Sequence, residues 1–167
     1  MMRFENVVRA AAAGVVALLI VIPPSAALQK KQTTAQMSKQ PATAENPHRL
    51  VLQVDTNEPA MMNLALNNAM NVAQYYKARG EDVSVEVVTF GPGLHMLRDD
   101  TSPVKARIAT IALSTPEISF KACGNTQENM HNAENRDIPL ISQAQIVKSG
   151  VVRIMELQDD GWAYVRP

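Results

Sequence analysis

The sequence predicts an α/β fold, three layers built on a mainly parallel five-stranded sheet with helices on both faces. Three observations predict it. Short runs with apolar residues, such as Val83 to Phe90 and Ile118 to Cys123, alternate with longer stretches whose apolar residues recur at helical spacing. Glycine and proline punctuate the joins, as at Gly91-Pro92-Gly93 and Pro116. The resulting order, β-α-β-α-β-α-β-α-β, puts a helix in every connection, which parallel strands need because their crossovers are long and right-handed.

Each element has its own reason. Arg49 to Asp55 is an apolar run ending in Asp55-Thr56-Asn57-Glu58, a strand followed by a helix cap. Pro59 suits a first helical turn, where its missing N–H has no partner to lose. Met61, Leu64 or Ala65, Ala69, Val72 and Tyr76 then share a helical face as far as Arg79, with Gly80 as the stop. A second strand, Val83 to Phe90, runs into the Gly91-Pro92-Gly93 turn. A helix from about Pro103 presents Val104, Ile108, Ile111 and Ala112, and Pro116 ends it. The third strand is Ile118 to Cys123, followed by a polar, helix-compatible segment, Gln127 to Asn135. Ala144 to Lys148 is a weaker strand; Ser149 caps a helix over Gly150 to Gln158, and Asp160-Gly161 turns the chain into a last strand, Trp162 to Arg166.

Composition narrows the partners. The chain has 167 residues, 46% hydrophobic and 4% aromatic, with 16 Lys+Arg against 16 Asp+Glu. Such a balance lacks the clustered basic face of nucleic-acid binders, so no nucleic-acid partner is expected. Gly91-Pro92-Gly93 lacks the other glycines of a dinucleotide fingerprint and the Gly-Lys-Ser/Thr of a P-loop, so no nucleotide is expected either. One cysteine makes no internal disulfide, and it stands too far from the scattered histidines to suggest ligand spacing; neither metal nor cofactor is expected.

The N-terminal segment has Arg3 and Arg9, an apolar stretch from Ala10 to Ile22, and small residues at Ser25-Ala26-Ala27. That is the pattern of a secretory signal peptide over residues 1–27 and implies an exported, periplasmic protein. The competing reading is a retained anchor through residues 7–22, the one case in which a membrane would be a partner. Residues 28–47, rich in Gln, Thr, Ser and Lys, read as a flexible linker. Residues 48–167 form the expected domain.

Parallel sheets bind ligands beyond the carboxyl ends of their strands. The candidate binding residues there are Asp55 and Asn57, Gly91, Gly93 and His95, Gly124, Asn125 and Thr126, and Ser149. Cys123 ends its strand immediately before a helix start, where free N–H groups and the positive dipole end favour a thiolate, the nucleophilic form. Lys121, two residues back on the same face, is placed to assist. A small buried hydrophobe is the other fate open to Cys123. His95 and His131 are base candidates if the fold brings them to the rim, and ordinary surface histidines otherwise. Asn67, Asn68 and Asn71 read as a solvated helix face or an amide ladder at a subunit contact.

Ala65-Leu66-Asn67-Asn68 with Asn71, the run Val87 to Leu94, Phe120 to Thr126, Ser149-Gly150-Val151-Val152 and the ending Gly161 to Pro167 occur in one unbroken order. This set resembles the DsrE/DsrF/TusD-like superfamily, in particular its small single-domain, YchN-like branch. The resemblance implies a flavodoxin-like arrangement of a mainly parallel five-stranded sheet, assembly into a homo-oligomer (trimer or hexamer), and a role in sulfur relay. There a cysteine at the position of Cys123 carries sulfur as a persulfide between a donor and an acceptor protein. Two functions follow as expectations: an exported sulfane-sulfur carrier using Cys123, or a non-catalytic binding and assembly module of the cell envelope with a structural cysteine. A thiol–disulfide oxidoreductase has no resolving cysteine in this chain.

Overall fold

The computed structural model describes residues 47–167. The expected signal segment (1–27), the alternative anchor (7–22) and, apart from Pro47, the linker (28–47) lie outside the described residues.

The five strands are β1 (His48–Val54), β2 (Val83–Thr89), β3 (Ile118–Cys123), β4 (Ala144–Val147) and β5 (Ala163–Val165). They form one all-parallel sheet in the order β4-β3-β2-β1-β5. Three successive crossovers step from β1 to β4; the last carries the chain back across the sheet to pair β5 with β1. The winding therefore reverses between β1 and β5, whereas a flavodoxin sheet reverses between β1 and β3.

The helices are α1 (Pro59–Ala78), α2 (Lys105–Ser114), α3 (Gly124–Glu134) and α4 (Gly150–Asp159), with a 3₁₀ helix at Gly91–Leu97. Strand residues alternate between faces. Leu50, Leu52, Val85, Val87, Phe120 and Ala122 point to the face covered by α1, α2, the 3₁₀ helix and α3. Val51 and Val88 point to the opposite face, where α4 lies alone with Ile154 and Leu157 against them. Helix α1 buries Met62, Ala65, Leu66, Ala69 and Ala73, a face turned by about one residue from the expected one, and Leu64 is exposed. Alanines at three of these positions let the helix sit close to the sheet.

The 3₁₀ helix replaces a plain turn after β2. Its first residues cross close to β1: a Cβ on Gly93 would overlap the Val54 carbonyl oxygen, so only glycine fits.

Helix α3 has no fully buried residue; Met130 packs on the core, and charge and hydrogen bonds supply most of its other contacts. The guanidinium of Arg98, 1% exposed, donates to both carboxylate oxygens of Glu134 on α3 and both of Asp100. Arg136 adds a second cation to the same two carboxylates. Hydrogen bonding to Arg98 holds the Glu134 carboxyl down to about 2 and Asp100 below the usual carboxylate range.

Two predictions follow from these contacts. Gly93→Ala should lower stability by about 3 kcal/mol, the upper range for overpacking, as read by urea denaturation. A lowered carboxyl contributes stability that is complete above its unfolded pKa, about 4.3 for Glu, and is lost as the pH falls through its folded value. The α3 backbone resonances should therefore broaden between about pH 4 and pH 2, and Glu134→Gln should loosen α3 already at neutral pH; an α3 indifferent to both would contradict the pinning.

Candidate functional site

Cys123 ends β3 on the α4 face, as residues 119 and 121 do, and occupies the N-cap position of α3. Helix α4 begins directly above it. Ser149 caps α4 by accepting from the Val152 N–H, so the N–H of Gly150 stays free to face the sulfur. A Cβ at Gly150 would meet Phe90 Cδ1 at 2.9 Å and the Cys123 Cβ at 3.3 Å, so glycine is what lets this helix start reach the thiol. Two helix N-termini thus converge on one sulfur.

Cys123 is only 4% exposed. Burial pushes its pKa up, but the Thr126 hydroxyl and the N–H groups of Gly150, Thr126 and Asn125 outweigh it and hold the thiol below its ordinary value. Thr126 is itself oriented: its Oγ1 accepts from the Gly91 N–H at 3.0 Å, leaving the hydroxyl hydrogen to be donated elsewhere. Asn125 shares its N–H with the Lys148 carbonyl at 3.2 Å. The expected partner Lys121 does lie on the Cys123 face, but its ammonium is directed to Gln145 and, at 3.8 Å, to Glu86. Backbone N–H groups stand where the sequence suggested a lysine.

The other candidates fall in four places. Gly91, Asn57, His95 and Thr126 share an open cleft of about 390 Å³ with Asn129 and Met130 of α3. His95 Nδ1 is 2.8 Å from Thr101 Oγ1 at its edge. Gly93, Gly124 and Ser149 have structural work: Gly93 crosses β1, Gly124 packs against Ile146 and the Val147 carbonyl, and Ser149 is a cap. His131 lies in a separate depression of about 370 Å³ with Gly124, Gln127 and Asp137, and its Nδ1 is 2.9 Å from the Arg136 carbonyl.

Asp55 stands apart. At the β1–β5 reversal, where the strand-end rule points most directly, the Arg166 guanidinium takes both Asp55 oxygens, at 2.9 and 3.1 Å. Tyr164 donates to Gln53 at 2.7 Å beside it. The chain itself fills this crevice, and about 10 Å³ remains. No cluster of three His, Cys, Asp or Glu side chains that could hold a metal ion occurs among the described residues. Asn67, expected on a solvated face, accepts from Arg107 of α2, which also holds Asn63.

Among solved structures, the chain is similar to the protein of unknown function MTH1491 from Methanobacterium thermoautotrophicum, with 30% identity and a TM-score of 0.60 over 72% of this chain and 99% of that one. The chain belongs to the MTH1491 family. No family model and no curated protein matches it. The MTH1491 likeness carries the fold of the described domain and no activity.

The geometry predicts that Thr126→Val raises the pH midpoint of Cys123 alkylation by removing the hydroxyl donor, whereas Thr126→Ser retains it. Iodoacetamide rates measured across pH on both variants check this. Equal midpoints in the two would contradict a role for the hydroxyl.

Proposed function

We propose that the protein is an exported carrier of sulfane sulfur of the DsrE type, with Cys123 as the carrying residue. The observation that supports this reading is the convergence of the α3 and α4 N-termini on the Cys123 sulfur, with Thr126 beside it. Such an environment stabilises an anion on sulfur before and after loading, because a persulfide is also anionic near neutral pH and meets the same donors.

The step is a displacement. The Cys123 thiolate attacks the outer sulfur of a donor persulfide, an Sγ–S bond forms and the donor S–S bond breaks. The donor leaves as a thiol carrying the proton, and Cys123 keeps the persulfide anion. An acceptor thiolate reverses the sequence. No net oxidation occurs, so a single cysteine suffices. Export follows from the pattern of residues 1–27, and assembly as a trimer or hexamer from the resemblance.

The 4% exposure of Cys123 favours the second reading, a binding or assembly module with a structural cysteine. Intact mass separates the two. Incubation with inorganic polysulfide should add the mass of one sulfur atom to the wild type and none to Cys123→Ser; no addition, or equal addition to both, would leave the structural reading.

A further inference from the structure

Resting on the carrier reading, we propose that the cleft between the 3₁₀ helix and α3 is the docking site of the sulfur donor, a small organic persulfide whose body is uncharged and bears an amide. The cleft has the size of a small-molecule site, about 390 Å³. Its polar side chains are the amides of Asn57 and Asn129, the imidazole of His95 and the hydroxyl of Thr126; its apolar wall is Pro92, Met130 and Ala133. No Lys, Arg, Asp or Glu side chain lines it.

That lining selects a chemistry. A dianion such as thiosulfate would lose hydration there and find no counter-ion. Arg98 touches Met130 Sδ at 3.7 Å, and Asp100 and Glu134 already neutralise it. A neutral alkyl chain against Met130 and Ala133, with an amide exchanging hydrogen bonds with Asn57 and Asn129, leaves no charge unpaired.

Thr126 joins the cleft to the chemistry. It lines the cleft, and its hydroxyl also acts on the Cys123 sulfur. A donor seated in the cleft with its S–SH end at Thr126 approaches the buried thiol from the side of α3, a helix with no fully buried residue. The reacting species is the protonated donor R–S–SH: the Cys123 thiolate attacks its outer sulfur, the Sγ–S bond forms as the donor S–S bond breaks, the proton passes from the transferred S–H to the departing sulfur, and R–SH remains in the cleft as Cys123 keeps the persulfide anion.

N-acetylcysteamine, a neutral amide thiol, and its persulfide are the probes. The thiol should give saturation-transfer NMR signals with the wild type that disappear in Ala133→Trp, which fills the cleft from an exposed helix position, and weaken in Asn129→Leu. Loading of Cys123 from the organic persulfide should slow roughly tenfold in Ala133→Trp, the loss of one modest binding contribution, while loading from inorganic polysulfide is unchanged. Circular dichroism of both variants checks that α3 is intact. Loading from polysulfide together with an organic-persulfide rate that Ala133→Trp leaves unmoved overturns the cleft assignment alone. No loading of the wild type by either donor overturns the carrier reading, and this inference with it.

Discussion

The approach of Gly150 to Cys123 and Phe90 is the constraint on which the site depends. Helix α4 must cross the sheet to bring β5 beside β1, and its first residue has to pass over the ends of β2 and β3. With any larger residue there, the helix would stand off from the thiol, and its N–H groups would face solvent. Glycine turns a topological crossing into an electrostatic environment: the same turn that reverses the sheet also supplies positive dipole to a sulfur at the start of α3.

The two layers of helices are held by different physics. On the α1 face a broad apolar core, from Leu50 and Phe120 to Ile108, fixes α1 and α2. On the other face α4 has only Ile154 and Leu157 over Val51 and Val88, with Phe90 and Trp162 at the margin. Arg153 compensates by a two-pronged pair with Glu86 at 2.7 and 3.0 Å, and Glu86 is 9% exposed. Removing Arg153 would leave the buried Glu86 carboxylate with Lys121, at 3.8 Å, as its remaining cation, which costs more than the intact pair contributes. Helix α3 is the extreme case, with no fully buried residue and Met130 as its apolar contact with the core. The thiol lies where the strongly packed sheet meets the two lightly packed helices, and local opening for reaction is least costly there.

Strand and helix identity was legible because periodicity reports it. Ile118 to Cys123 and the start at Pro59 coincide with the observed bounds, and the other strands agree to within one or two residues. The 3₁₀ helix was not legible, since Gly91-Pro92-Gly93 signals a turn without saying that Leu94 to Leu97 continue it inward. The helix start immediately after Cys123 was legible from Gly124-Asn125-Thr126, although the polar run by itself pointed only to Gln127 to Asn135. At the site, the thiol at a strand end was readable from local order. The free N–H of Gly150 was not, because it comes from a segment 27 residues further along that only the crossing brings near. Lys121 was misjudged for the converse reason: sharing a face says nothing of Glu86, which β2 supplies across the sheet. The Asp55–Arg166 pair likewise appears only once β5 lies beside β1.

The central claim is that two helix N-termini make Cys123 an anion under conditions where an ordinary thiol is protonated. Its most direct test is the thiolate ultraviolet absorbance of the folded protein followed against pH, taken as the difference between wild type and Cys123→Ser. The account predicts a single transition with a midpoint below about 8.5, the ordinary thiol value. A midpoint at or above that value, or a signal that appears only on unfolding, would contradict it.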